Sequence, residues 1–210
     1  MEATPPAADV RIARVRGGDT AALAEAFDEY RPRLLKTVAF RLDPRLAGRV
    51  DAEDVLQEAY LNAAQRCAHV EGDTEQSLFV WLRLIVGQTL VDVHRRHLGA
   101  QMRAAGREVA LHRGTNAETT TASLAHGLLA SVTSPSGAMQ RSERAERLRA
   151  ALASMDDIDR EVLALRHFEE LTNQEIAEVL GIEQKAASIR YIRALRRLKA
   201  ILEDQVGGAE

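Results

Sequence analysis

The stretch LTNQEIAEVLGIEQKAASIRYIRALRRLK, residues 171–199, decides how this chain is read. Thr172 and Glu175 make a T-x-x-E capping box, in which each side chain satisfies the other residue's free amide at a helix start. Ile176, Ala177 and Leu180 give that short helix an apolar side. Gly181 permits a tight, left-handed turn, and Ile182 closes the angle to a second, longer helix. At about 100° per residue, Ala187, Tyr191, Ala194, Leu195, Leu198, Ile201 and Leu202 share one face of the longer helix, the expected core side. Lys185, Ser188, Ile189, Ile192 and Arg196 fall roughly opposite, with Arg193 beside them. The pattern is that of a helix-turn-helix. Its second helix would offer base edges its N-terminal half and set Arg and Lys against phosphates. The plain alternative is a solvated basic helix.

Upstream of this motif, helical patterns cover residues 143–153 and 157–169, the latter preceded by Asp156 as cap. Residues 103–140 are rich in Gly, Ser, Thr and Ala and carry no sustained periodicity, which reads as a flexible linker over 104–140. Within it, SLAHGLLASV could form one short helix. The first third of the chain is helical again. Asp19 can cap a helix over residues 21–41, with Leu23, Phe27, Tyr30, Leu34, Leu35 and Val38 at helical spacing. Asp43-Pro44 ends it. A second helix runs over 51–66, Gly72 marks a turn, and a third runs from about 77 to at least 97, with Leu78, Leu82, Ile85, Thr89 and Val93 on one face. The fold class is therefore all-α: two small helical domains joined by a flexible linker. The expected boundaries are a flexible N-terminus at 1–18, one domain at 19–103, the linker at 104–140 and the helix-turn-helix domain at 141–205.

Composition agrees. Residues that favour helices abound and aromatics make up only 4%, against the usual bias of strands. A hydrophobic fraction of 46% supports packed cores. The lone Cys67 can form no internal disulfide, which fits a reducing compartment. No apolar core of signal-peptide length is seen near the start. The stretch 78–93 is short for a membrane span and is interrupted by Arg83 and Asp92, so the expectation is a cytoplasmic protein without membrane insertion. The net charge of −3 argues against a chain that coats DNA unaided. Acids gather at 51–58 and bases at 185–199, an asymmetry that suggests two different partners.

DAEDVLQEAYLNAAQR, residues 51–66, is the second informative stretch. Asp51 can cap its helix, and Asp54, at the third helical position, meets the helix dipole. Capping does not account for Gln57 and Glu58, which continue a polar strip beside Val55 and Ala59. From Asp51 to Glu58 the stretch resembles the polymerase-binding helix of bacterial RNA polymerase sigma factors, whose pattern reads D-A-E-D-apolar-x-Q-E. Residues 33–41 and LFVWLRLIVGQTLVDVHRRH resemble the flanking helices of that family's region 2. The helix-turn-helix resembles its region 4. The short linker places the resemblance in the compact extracytoplasmic-function (ECF) group.

The resemblance implies a sigma factor that directs the polymerase core to promoters and initiates transcription, with no catalysis and no cofactor of its own. Asp51, Glu53, Asp54, Gln57 and Glu58 would meet the clamp of the largest polymerase subunit, and the C-terminal domain its flap region. Glu71, Gly72, Asp73, Thr74 and Ser77 would hold a flipped base of the minus-ten element, with Trp81 on the same side, and the helix around His94, Arg95, Arg96 and His97 would face the DNA upstream of it. Trp81 could stack on a base, but a helix this apolar favours a core position for it. Thr172, Lys185, Ser188, Ile189, Arg190, Ile192, Arg193 and Arg196 would read the minus-thirty-five element. The family leaves room for an anti-sigma factor as a third partner. Ser188, Ile189 and Glu183 depart from the residues the family often carries there, and Gly87-Gln88 departs in region 2.

Two other readings are open at this stage. One is a free-standing helix-turn-helix regulator that binds DNA without polymerase, usually as a dimer on paired half-sites. The other is an enzyme using His94 and His97 for a metal, although no third ligand falls in a recognisable pattern. No nucleophile elbow and no phosphate-cradling glycine loop is present in the sequence.

Overall fold

The computed structural model describes residues 7–46, 48–102, 120–121, 123–125, 146 and 148–207. Among the described residues every regular element is helical. They belong to two compact units, Met1–Gly114 and Thr115–Glu210.

The first unit is built from α1 (Ala7–Arg16), α2 (Thr20–Arg41), α3 (Ala52–Arg66) and α4 (Glu75–Met102). Asp19 caps α2 by accepting from the amides of Ala21 and Ala22, both at 3.0 Å. Asp51 caps α3 through the Glu53 amide at 3.0 Å. Thr74 does the same for α4 through the amide of Ser77 at 3.1 Å. Helices α2, α3 and α4 pack against one another. Leu23, Phe27, Leu34 and Val38 of α2 and Val55, Leu56, Ala59 and Ala63 of α3 are all buried between the packed helices. The predicted α4 face of Leu78, Leu82, Ile85, Thr89 and Val93 is buried, but so are Phe79, Trp81, Val86 and Leu90. A helix that is apolar all round belongs in a core. The window 75–98 is long and apolar enough to cross a membrane, yet 67% of it is buried within the protein.

The expectation of a flexible N-terminus over 1–18 needs correcting. Residues 7–16 are the helix α1, with Ile12 and Val15 fully buried. A ten-residue helix is marginal in water by itself. Burial of two branched side chains, at roughly 1.5–3 kcal/mol each, supplies what local propensity lacks.

The second unit contains α5 (Asp157–His167), α6 (Asn173–Leu180) and α7 (Gln184–Gly207), with α5 and α6 both packed on α7. Residues 148–153 are also helical. Arg160 on α5 is buried and donates to the carbonyls of Leu152 (2.9 Å), Ala153 (3.2 Å) and Met155 (2.5 Å), closing the end of that segment. The linker expectation also needs correcting in part. Residues 120–121 and 123–125 are helical, and Leu124 and Ala125 are buried. Thr120 donates to Glu161 Oε2 on α5 at 2.8 Å. The remaining linker residues, 103–119 and 126–140, lie outside the described residues, together with 122.

Candidate nucleic-acid interface and docking strip

The turn between α6 and α7 is specified by three local features. Thr172 Oγ1 accepts from the Glu175 amide at 3.2 Å, and Glu175 Oε2 accepts from the Thr172 amide at 2.8 Å, so both halves of the capping box are made. Gly181 ends α6 at φ 63°, a left-handed position that costs an ordinary residue energy. The Ile182 amide then donates back to the Ala177 carbonyl at 2.9 Å. With Ala187, Ala194 and Leu198 buried, α7 is rotated so that Lys185, Ile189, Ile192 and Arg196 lie outward at positions i, i+4, i+7 and i+11. Ile189 is 56% exposed and Ile192 48%. Both are exposed and neither is a core residue.

Four other residues assigned to this surface are engaged within the unit. The Thr172 hydroxyl serves the capping box. Ser188 Oγ donates to the Gln184 carbonyl (3.2 Å) and accepts from Asn173 Nδ2 (2.9 Å), tying α7 to the start of α6. Arg190 and Arg193 both turn to Asp159 on α5. Asp159 is 2% exposed, and burial pushes its carboxyl up. The hydrogen bonds from Arg193 and Arg190 outweigh that and hold it below the usual carboxylate range. Arg193 is still half exposed, with a guanidinium edge free to meet solvent or an anion.

On α3, Asp51, Glu53, Asp54 and Gln57 are exposed and Glu58 is half-buried. Glu53 is paired with Arg31 of α2. Arg96 Nη2 donates to both carboxylate oxygens of Glu58, at 2.6 and 2.7 Å, so a residue assigned to minus-ten DNA is joined to one assigned to polymerase. Asp54 makes no ion pair among the described residues. The sequence reading missed Leu61, an exposed leucine one turn beyond Gln57 on the same strip. Its spacing, i+7 from Asp54, was the available signal.

The turn before α4 places Glu71, Gly72, Asp73 and Thr74 at the surface and Ser77 partly covered. Gly72 has φ 80°, and a Cβ there would come within 2.5 Å of Ser77 Cβ and Oγ. Two residues assigned to the DNA side are corrected. Trp81 is 8% exposed and is a core residue. His94 is 5% exposed, and its Nε2 accepts from the Asp43 amide at 3.2 Å, which anchors the end of α2 to α4. Burial lowers the His94 pKa, a neighbouring Asp43 raises it and Arg45 lowers it, with a net fall. Arg95 is exposed beside Asp92. Among the described residues no group of three His, Cys, Asp or Glu is placed to hold a metal.

An all-helical chain with a capped helix-turn-helix in one unit and an exposed acidic helix in the other defines a helix-turn-helix transcription protein. Comparison with known proteins narrows the class. The family model for Sigma-70 region 2 matches residues 26–98, and that for Sigma-70 region 4 matches residues 151–200. The RNA polymerase sigma factor YlaC of Bacillus subtilis (strain 168) is 28% identical over 148 residues, covering 70% of this chain and 75% of YlaC. The ECF RNA polymerase sigma factor SigW of the same organism is 28% identical over 196 residues, covering 92% and 96%. The solved structure of CnrH in complex with the cytosolic domain of CnrY matches at TM-score 0.51 and 18% identity, over 95% of this chain and 99% of that one, a likeness of fold. The chain belongs to the sigma factors of bacterial RNA polymerase, in the ECF group, and acts in transcription initiation by directing the polymerase to promoters.

Proposed function

We propose that the sigma activity is divided between the two units as follows. In the region 2 part, residues 19–103, the α3 strip of Asp51, Glu53, Asp54, Gln57 and Glu58 docks on a basic surface of the polymerase clamp. The turn from Glu71 to Ser77 presents Gly72, Asp73 and Thr74 to an unpaired base of the minus-ten element. Arg95 and, once released from Glu58, Arg96 lie toward adjacent phosphates. In the region 4 part, residues 141–205, α7 enters the major groove of the minus-thirty-five element. Lys185, Ile189, Ile192 and Arg196 face the bases, while Arg190 and Arg193 approach the backbone from the side held by Asp159. The flap region of polymerase is the partner for the rest of this domain. Phosphodiester chemistry belongs to polymerase, and this chain contributes binding alone, in the cytoplasm.

The observation that carries this reading is the outward row Lys185, Ile189, Ile192 and Arg196 on a helix whose opposite face is buried. A thymine methyl in the major groove offers such isoleucines an apolar partner. A further protein partner, of the anti-sigma kind, is supported by CnrH, whose structure holds the cytosolic domain of CnrY.

The test is a pull-down of the full chain with core polymerase, followed by transcription from a random promoter library. Enriched templates should share two elements separated by a fixed spacer. Sequence-specific DNA binding without polymerase, on paired half-sites, would favour the free-standing regulator instead.

A further inference from the structure

Helix α1 lies before residues 26–98, the part matched by the region 2 family model, and carries none of the residues assigned to polymerase or DNA. It packs on α2, on residues 67–69 and on α4, and two of its arginines reach the turn before α4. From the last turn of α1, Arg16 reaches across to the turn that precedes α4. Its Nε donates to the Val70 carbonyl at 3.1 Å. Its Nη2 donates to the Gly72 carbonyl at 2.5 Å and to Asp73 Oδ1 at 3.1 Å. One turn earlier on α1, Arg11 grips Glu75 through both carboxylate oxygens, the Nε bond measuring 2.8 Å. Tyr30 of α2 joins the same carboxylate at 2.8 Å. Thr74 and Ser77 close the far side of the turn. The guanidinium of Arg16 is thus a planar fork spanning alternate carbonyls of a segment whose outer face is exposed.

A segment with this exposure and only its own residues to hold it would sample many conformations, because loops with few buried contacts open at little cost. A fork across two carbonyls fixes the distance between them and the direction of the intervening residue. A lysine carries its three donors on one freely rotating nitrogen and cannot hold two acceptors in the fixed geometry of a planar fork. Arg16 is no core residue, since 40% of its side chain is exposed.

We infer that Arg16 is a positioning residue for the turn from Glu71 to Ser77 and, through that turn, sets the base preference at the minus-ten element. The inference rests on the reading that this turn meets the minus-ten strand. Arg16 acts by holding the Gly72 carbonyl and Asp73 in the geometry that an extruded base meets, and Arg11 anchors the C-terminal end of the same turn. Discrimination at one base position follows from fixed polar groups. A turn free to move would accept several bases with similar energy.

The experiment assembles the full chain with core polymerase and transcribes a library in which the minus-ten element is randomised and the upstream element is constant. Three variants are compared: Arg16→Ala, Arg16→Lys and Gly72→Ala. The last forces a Cβ against Ser77 and so deforms the turn directly. Arg16→Ala should lower base preference at one or two minus-ten positions by about tenfold, within the range that one base pair contributes. Thermal stability and the preference at the upstream element should be nearly unchanged. Arg16→Lys should recover only part of the preference. If Gly72→Ala alters the minus-ten preference and Arg16→Ala does not, the turn reads DNA without its brace and the inference falls. If Arg16→Ala lowers the melting temperature and depresses all templates equally, its role is structural and the inference falls again. If neither substitution moves the preference, the assignment of the turn to the minus-ten strand is itself wrong.

Discussion

Arg193 Nε donates to Asp159 Oδ2 at 3.1 Å and its Nη2 to Asp159 Oδ1 at 2.9 Å, so a helix assigned to the major groove is pinned to α5 by a two-point ion pair. Arg190 adds a third bond at 3.0 Å to the same carboxylate. Asp159→Asn removes the charge from a buried site and leaves two arginines facing a neutral amide. The partners are partly exposed and can regain water, so the cost should be about 1–3 kcal/mol rather than that of a fully buried pair. The carboxyl has its folded pKa below its unfolded value of about 3.9. Its contribution is therefore complete above that value and is lost as pH falls through the folded pKa. Chemical denaturation of wild type and variant should show the difference at pH 7 and a shrinking difference below about pH 4. Equal stabilities at pH 7 would mean the pair is ornamental.

His94 gives a second pH dependence, nearer neutrality. Burial holds its pKa below the ordinary histidine value, with Asp43 opposing and Arg45 adding to the effect. Below about pH 6.5 the unfolded chain takes up a proton that the folded chain resists. Stability is full above that pH and is lost as pH falls toward the folded pKa. The melting temperature should therefore drop between about pH 7.5 and pH 5.5. His94→Gln keeps an acceptor for the Asp43 amide and removes the titration, so its melting temperature should change less over the same interval. Parallel slopes in the two proteins would assign the acid sensitivity elsewhere.

The sequence was most legible where local chemistry and tertiary structure ask for the same residue. Thr172, Glu175 and Gly181 specify α6 and its turn within ten positions, and the core face of α7 follows from its period. Asp19, Asp51 and Asp156 are caps in the structure as in the sequence. What was not legible depends on partners far along the chain. Among its described residues helix α1 buries Ile12 and Val15, too few for a periodic signal, and Arg16 holds carbonyls more than fifty positions away. His94 and Trp81 sit in a helix buried on nearly every side, where no pattern separates a core histidine from an exposed one. Asp159 looks like an ordinary first-turn acid until Arg190 and Arg193 are brought to it. Arg31 and Arg96 likewise give no hint in sequence that they would cover Glu53 and Glu58.

Ile189 and Ile192 should help to read sequence. Both are outward between Lys185 and Arg196, and neither is needed by the core. Substitution of each by Ser removes an apolar surface that a thymine methyl could cover, and contributes about 1–3 kcal/mol per position at most. The expected result is lost thymine preference at one or two minus-thirty-five positions in holoenzyme transcription, with the melting temperature essentially unchanged. A clear fall in melting temperature with unaltered preference would place these residues in an unseen packing role and require another face of α7 for the bases.

Asp54 and Glu58 share the outward strip of α3 but differ in their present company. Asp54 has no ionic partner among the described residues, whereas Glu58 is held by both bonds from Arg96. Docking on a basic helix would let Glu58 exchange one guanidinium for another, so its net gain is reduced by the pair it gives up. Such an exposed intramolecular pair is worth only about 0.2–1 kcal/mol, which a desolvated contact with polymerase can exceed. Asp54→Ala should therefore weaken binding to core polymerase at least about tenfold, equivalent to ~1.4 kcal/mol, without loss of helix content. Glu58→Ala should weaken it less, and Arg96→Ala, which frees Glu58, should leave binding unchanged or tighten it. A titration of labelled chain against core enzyme separates these outcomes. If Arg96→Ala weakens binding as much as Glu58→Ala does, the pair itself forms part of the docking surface. If Asp54→Ala has no effect, the strip does not dock there at all.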